Sequence, residues 1–154
     1  MVAHNEASTM ASASQIKSLA NPALAPFRAE AGFVAGGVRV LLRLEGFAAF
    51  AAALALYWRA GFSWPVFALL FLAPDLSMLV YLAGPRAGAI GYNFAHTYAA
   101  VLSLILGGIV GGAPAATAVG LIWVGHIGFD RALGYGLKYS TGFGDTHLGH
   151  LGRR

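Results

Sequence analysis

Apolar residues fall in four long runs, at 38–58, 62–83, 89–110 and 115–135, and stretches such as 47–56 and 101–109 carry no polar face at helical spacing. Each run approximates the ~20 residues that an α-helix needs to cross about 30 Å of hydrocarbon. The links at 59–61, 84–88 and 111–114 are short and punctuated by Gly and Pro. Consecutive helices must then lie antiparallel. The pattern predicts an all-α membrane protein, an antiparallel bundle of four transmembrane helices. The flanks differ. Residues 1–35 are rich in Ala, Ser, Asn and Pro without a sustained apolar run, which predicts a disordered tail. They also lack the basic start and apolar core of a secretory signal. Residues 136–154 are too short of apolar length for a fifth span. They predict an interfacial segment, with Tyr135, Tyr139 and Phe143 at headgroup level. The domain reading is a tail at 1–35 and a membrane domain at 36–154.

Composition and charge sharpen this picture. Hydrophobic residues make up 58% of the 154 and charged residues 10%, against roughly 25% charged in a soluble domain. That is too little charge to solvate a globular surface, so the lipid bilayer is the expected partner. The net charge of +4 comes from basic residues scattered singly, without the basic-aromatic stripe that nucleic-acid binding would need. Lys17, Arg28, Arg39, Arg86, Lys138, Arg153 and Arg154 fall on one side of a four-span topology, and Arg59 alone on the other. The positive-inside rule then predicts a multi-pass cell-membrane protein with both termini cytoplasmic. Arg43, one turn beyond Arg39, can snorkel to the same interface. The absence of cysteine excludes disulfides, thiolate metal sites and cysteine nucleophiles.

The polar residues inside the runs carry the chemistry. Glu45, Asp75, Asn93, His96, His126 and Asp130 all fall within about 6–14 Å of the cytoplasmic end of their helices at 1.5 Å per residue. Every helix contributes an acid or a histidine at this depth. His126 and Asp130 are four apart, on one helix face. Asn93, His96 and Thr97 share another face beside Tyr92, and Trp123 shares that of His126. Isolated buried acids are costly, whereas converging ones can share protons, cations or water. The expectation is a shared polar pocket open to the cytoplasm. Pro74, just before Asp75, frees the carbonyl of Leu70, and Gly46, Gly125 and Gly128 permit close helix approach. Each residue also has a plainer reading: Glu45 paired with Arg43 or Arg39, Asp130 with Arg131 or Lys138, and the histidines hydrogen-bonded to Asn93, Thr97 or a tyrosine.

Several ordered motifs carry a family resemblance. They are Leu41-Leu-Arg-Leu-Glu-Gly46, Ala73-Pro-Asp-Leu-Ser-Met78, Tyr81-Leu-Ala-Gly-Pro-Arg86, Tyr92-Asn-Phe-Ala-His-Thr-Tyr98 and the stretch from His126 to Tyr139, followed by Asp145-Thr-His-Leu-Gly149. From about Arg39 to Gly149 the chain resembles the small bacterial membrane proteins of the domain-of-unknown-function 4260 family. The resemblance implies a multi-span membrane protein and brings no activity, cofactor or catalytic residue.

Three function classes fit these residues. The first is proton or ion handling by carboxylates and histidines in a hydrated pocket. Four helices are few for alternating access, and a homo-oligomer would supply the missing half. The second is a membrane-embedded enzyme on an apolar or lipid substrate, using a divalent metal held by His96, His126 and His147 with Asp75 or Asp130. Zinc, iron and manganese suit such nitrogen and oxygen donors. The third is a structural or accessory subunit whose polar layer fixes helix register.

Overall fold

The structure is a computed structural model that describes residues 32–151. Of the tail expected at 1–35, residues 1–31 lie outside the described residues. Five α-helices and one 3-10 segment follow in order: α1 (Gly36–Arg59), α2 (Trp64–Leu70), the 3-10 segment (Ala73–Ala83), α3 (Pro85–Ala95), α4 (Tyr98–Val110) and α5 (Pro114–Leu133). A two-residue antiparallel hairpin, β1 (Asp145–Thr146) and β2 (Gly149–His150), closes the described chain. Three stretches are long and apolar enough to cross a membrane: Gly36–Arg59, Trp64–Ala83 and Pro85–Val110. Helix α5, expected as the fourth span, is not among them. It has 20 residues, but its inner face carries His126 and Arg131 among its buried residues. It needs less hydropathy because α1 and α4 pack along it and cover it. Its role is that of a central post.

Close approach between α1 and α5 depends on glycine. A Cβ on Gly128 would stand 2.6 Å from the Phe50 backbone nitrogen and 2.7 Å from the Gly46 carbonyl oxygen. Gly46 is buried against the same turn of α5. Further along, Tyr57, Leu121 and Ile122 form a buried core, with Phe62, Phe67 and Phe71 packed against it.

The second and third apolar runs are not single helices. Pro74 lacks an N–H, and its ring excludes the carbonyl four residues earlier, so α2 stops at Leu70. The chain resumes as an 11-residue 3-10 segment, far longer than the usual three or four residues. At three residues per turn, side chains i and i+3 eclipse. Leu76, Leu79 and Leu82 therefore share one face, and all three are exposed. Asp75, Met78 and Tyr81 share another, on which Asp75 and Met78 line a cavity and Tyr81 packs edge-on to Phe143. The next run breaks at His96 and Thr97, where Thr97 adopts an extended backbone between α3 and α4.

The C-terminal segment also differs from an interfacial strip. Residues 137–151 fold back onto the helices, with Lys138, Thr146 and Leu148 buried. Gly134, at φ 99°, ends α5 in a left-handed turn that returns the chain. The Tyr135 N–H donates to the Asp130 carbonyl across it, at 2.8 Å. Val34, just before α1, donates its N–H to the His147 carbonyl at 2.9 Å, and Phe33 packs on Tyr139. Residues 33 and 34 are thus part of the folded unit.

The glycine contact makes a graded prediction. Gly128→Leu should destabilise the protein by at least about 1–3 kcal/mol through overpacking. Gly125→Ala, whose Cβ would meet nothing nearer than 3.7 Å, should be tolerated. Thermal unfolding of the two variants in one detergent compares them directly.

Candidate metal centre

Asp75, His96, His126 and Asp130 converge, with one ligand atom from each lying within 4.8 Å of all the others. Three elements supply them: the 3-10 segment, the α3–α4 break and, with two successive turns, α5. The two imidazoles meet Nε2 to Nε2 at 3.2 Å. His96 Nε2 is 3.5 Å from Asp75 Oδ1 and 3.6 Å from Asp130 Oδ2. His126 Nε2 is 3.5 and 3.7 Å from the same two oxygens. Both histidines are 1% exposed. The carboxylates open outward, Asp75 with 32% of its side chain exposed and Asp130 with 15%.

The helix break is what aims His96. Its Nδ1 lies 2.9 Å from the Tyr92 carbonyl, one turn back. A carbonyl only accepts, so Nδ1 carries the proton and the Nε2 lone pair points into the cluster. The ring stacks on Tyr92 at 3.7 Å between centroids. The carbonyls left over at the break are taken by α5: Trp123 Nε1 donates to Ala95 O at 2.7 Å, and the Arg131 guanidinium to His96 O at 3.2 Å. His126 sits on the helix with its edge against Phe71. Its Nδ1 is buried with no hydrogen-bond partner among the described residues.

These donors fit a divalent cation. Tetrahedral nitrogen and oxygen ligands about 2.0–2.1 Å from a zinc ion stand about 3.3 Å from one another. The five separations above run from 3.2 to 3.7 Å. His96 also has the outer partner usual for a metal-bound imidazole, an Nδ1–H donating to a backbone carbonyl.

A cavity of about 310 Å³ opens beside the cluster. Asp75, Asp130 and His126 form its polar wall, and Phe71, Leu72, Phe129 and Leu133 much of the rest. Tyr92 joins the two, donating its hydroxyl to Asp130 Oδ2 at 3.2 Å. Lys138 closes one side. Its ammonium donates to Phe143 O at 2.9 Å and lies over the Phe143 and Tyr92 rings, at 3.7 and 4.7 Å. Burial pushes this ammonium below its ordinary value, with Asp130 and Asp75 opposing the shift.

Three expected site residues stand elsewhere. Glu45 is exposed, because its neighbour Gly46 takes the α5-facing position and an adjacent residue points about 100° away. It lines a separate cavity with Tyr98, Arg131 and His147. His147 stands outside the four-residue cluster, its Nδ1 accepting the Leu137 N–H at 2.9 Å. Asn93 clamps the returning chain, its amide bonding both the N–H and the carbonyl of Lys138 at 2.7 and 2.9 Å. Asp130 faces the histidines, while Arg131 turns to the carbonyls of His96 and Tyr135. Sequence reasoning placed Lys138 at the membrane surface. The signal for its burial is the Asn93 amide, which needs a backbone partner when enclosed.

The clamp and His147 can be tested together. Asn93→Ala removes two hydrogen bonds, each worth about 0.5–1.5 kcal/mol. Amide exchange over 137–150 should speed up while α5 stays protected. Burial, with the Arg131 guanidinium second, holds His147 below its ordinary 6.5. The unfolded chain therefore takes up the proton first, and the stability from neutral His147 is full above about pH 6.5 and declines below it. Protection in this segment, measured against the intrinsic exchange rate at each pH, should fall on acidification, and His147→Asn should flatten the response.

No curated protein and no solved structure matches the chain. A family model described as Domain of unknown function (DUF4260) matches residues 39–151, which include every residue of the cluster, the Asn93 clamp and both hairpin strands, and the chain belongs to that family.

Proposed function

We propose that this multi-pass membrane protein, with both termini cytoplasmic, is a metal-dependent hydrolase acting on an amphiphile that enters from the bilayer. The observation carrying this reading is the convergence of two buried imidazoles and two carboxylates, with the five separations that involve an imidazole at 3.2–3.7 Å and all four ligand atoms within 4.8 Å of one another. The apolar cavity beside them supports a substrate with a hydrocarbon portion. Orientation rests on Arg39, Arg86, Arg153 and Arg154 against Arg59.

His96, His126 and Asp130 would hold the cation, with Asp75, the most exposed of the four, beside them on the 3-10 segment. A bound divalent cation would supply a water whose pKa is lowered toward about 7, a nucleophile for an ester carbonyl or phosphoryl centre. The Asp75 carboxylate would accept the proton that this water loses and return it to the leaving oxygen as the scissile bond breaks. Tyr92 holds Asp130 in place through its hydroxyl.

A second reading, proton handling, draws on the contact between the two Nε2 atoms. Without a cation, that contact needs a proton between them.

Elemental analysis of the detergent-purified protein separates the two. The metal reading expects one zinc, manganese or iron per chain, absent from the His96→Ala, His126→Ala double variant and reduced in Asp130→Ala. Metal-free parent protein that stays folded and gains no thermal stability from added zinc, manganese or iron would overturn it in favour of proton handling. Reporter fusions at Gly61, Gly88, Ala113 and the C-terminus test orientation, and an external C-terminus would refute it.

A further inference from the structure

Lys138 is a buried ammonium, 4% exposed, and among the described residues no carboxylate is in ion-pair contact with it. Of its three donors, one goes to the Phe143 carbonyl. The remainder of its charge faces the two aromatic rings. Cation–π contacts of this kind offset only part of the cost of burying an ion. Lys138, Tyr92 and Phe143 all line the cavity that holds Asp75 and Asp130.

We infer that Lys138 binds the anionic head of the substrate, which is therefore a phosphate- or carboxylate-bearing amphiphile whose hydrocarbon chain lies along Phe71, Leu72, Phe129 and Leu133. This assignment rests on the hydrolase reading of the same cavity and adds its substrate class. Charge balance couples the two. Without a cation, Asp75 and Asp130 offer Lys138 nearby negative charge. A bound divalent ion cancels both carboxylates and leaves the ammonium unopposed, so an anion is attracted most strongly to the loaded site. A neutral head leaves the ammonium as it is, and a cationic head is repelled. The ring faces of Tyr92 and Phe143 hold the ammonium in place before the ligand arrives, which limits the ordering cost of binding.

The test is calorimetric titration of zinc-treated protein in phosphatidylcholine nanodiscs with dodecyl phosphate. Dodecyltrimethylammonium and inorganic phosphate are titrated in parallel, and zinc content is measured on each sample. Dodecyl phosphate should saturate one site per chain. Lys138→Gln should weaken it about tenfold or more, the scale of a charge-assisted hydrogen bond, and Lys138→Arg should restore most of the loss. Inorganic phosphate should bind at least about tenfold more weakly for want of chain burial, and dodecyltrimethylammonium not at all. Should Lys138→Gln fail to fold, Met78→Trp fills the cavity with Lys138 in place and must weaken dodecyl phosphate by a similar factor. Unchanged binding in folded Lys138→Gln, or in Met78→Trp where it is the variant used, overturns the proposal. Equal affinity for inorganic phosphate overturns the amphiphile assignment, as does absence of dodecyl phosphate binding in the parent. Zinc-free samples that still bind dodecyl phosphate through Lys138 would sink the hydrolase reading and leave the anion subsite standing.

Discussion

Two imidazoles buried edge to edge beside two carboxylates constrain everything around them. In an apolar bundle each such group is expensive unless another polar group answers it. The cluster at Asp75, His96, His126 and Asp130 answers that demand internally. The surrounding chain holds it in register through two stretches of irregular backbone and the helix side chains that bond to them. The α3–α4 break exposes carbonyls that Trp123 and Arg131 then cap. The return of the chain after Gly134 brings Lys138 under the Asn93 amide. Backbone that departs from helix at membrane depth is tolerated where protein or a cavity satisfies it. Here the departures and the functional candidates coincide.

Central placement of α5 follows from the same demand. A helix carrying His126, Asp130 and Arg131 cannot face lipid along that side. Its glycines let α1 approach closely enough to exclude water, and α4 covers another side. The outer stretches supply the apolar surface: Leu69, Leu82, Ile90 and Val110 are among their most exposed residues. Division of labour between a polar-bearing inner helix and apolar outer stretches explains why, among the described residues, only three stretches have the hydropathy of free-standing spans.

Much of this was legible in the residues. The four apolar runs end within a few residues of the observed helices because Gly and Pro stop helices by local sterics. Common depth along the helices singled out Asp75, His96, His126 and Asp130, which do meet. Depth alone failed for Glu45, because it fixes a level and leaves rotation about the helix axis open, and Gly46 takes the inward direction. His147 falls outside the cluster for a different reason: a short hairpin positions it, and hairpin geometry leaves little mark on a glycine-rich tail. The 3-10 segment had a signal, leucine at 76, 79 and 82. A spacing of three is hard to separate from helical spacing over so short a run.

The 3-10 segment also changes how far a given number of residues reaches. Its 11 residues rise about 2.0 Å each rather than 1.5 Å, a length of about 22 Å where an α-helix would give about 16 Å. Together with α2, at 7 residues and about 10 Å, the stretch from Trp64 to Ala83 covers about the thickness of a bilayer's hydrocarbon core despite the break at Pro74. Rewinding it into an α-helix would withdraw about 5 Å of reach, a difference comparable to that between thin and thick cellular membranes. The same rewinding would rotate Asp75 away from the stripe it shares with Met78 and Tyr81.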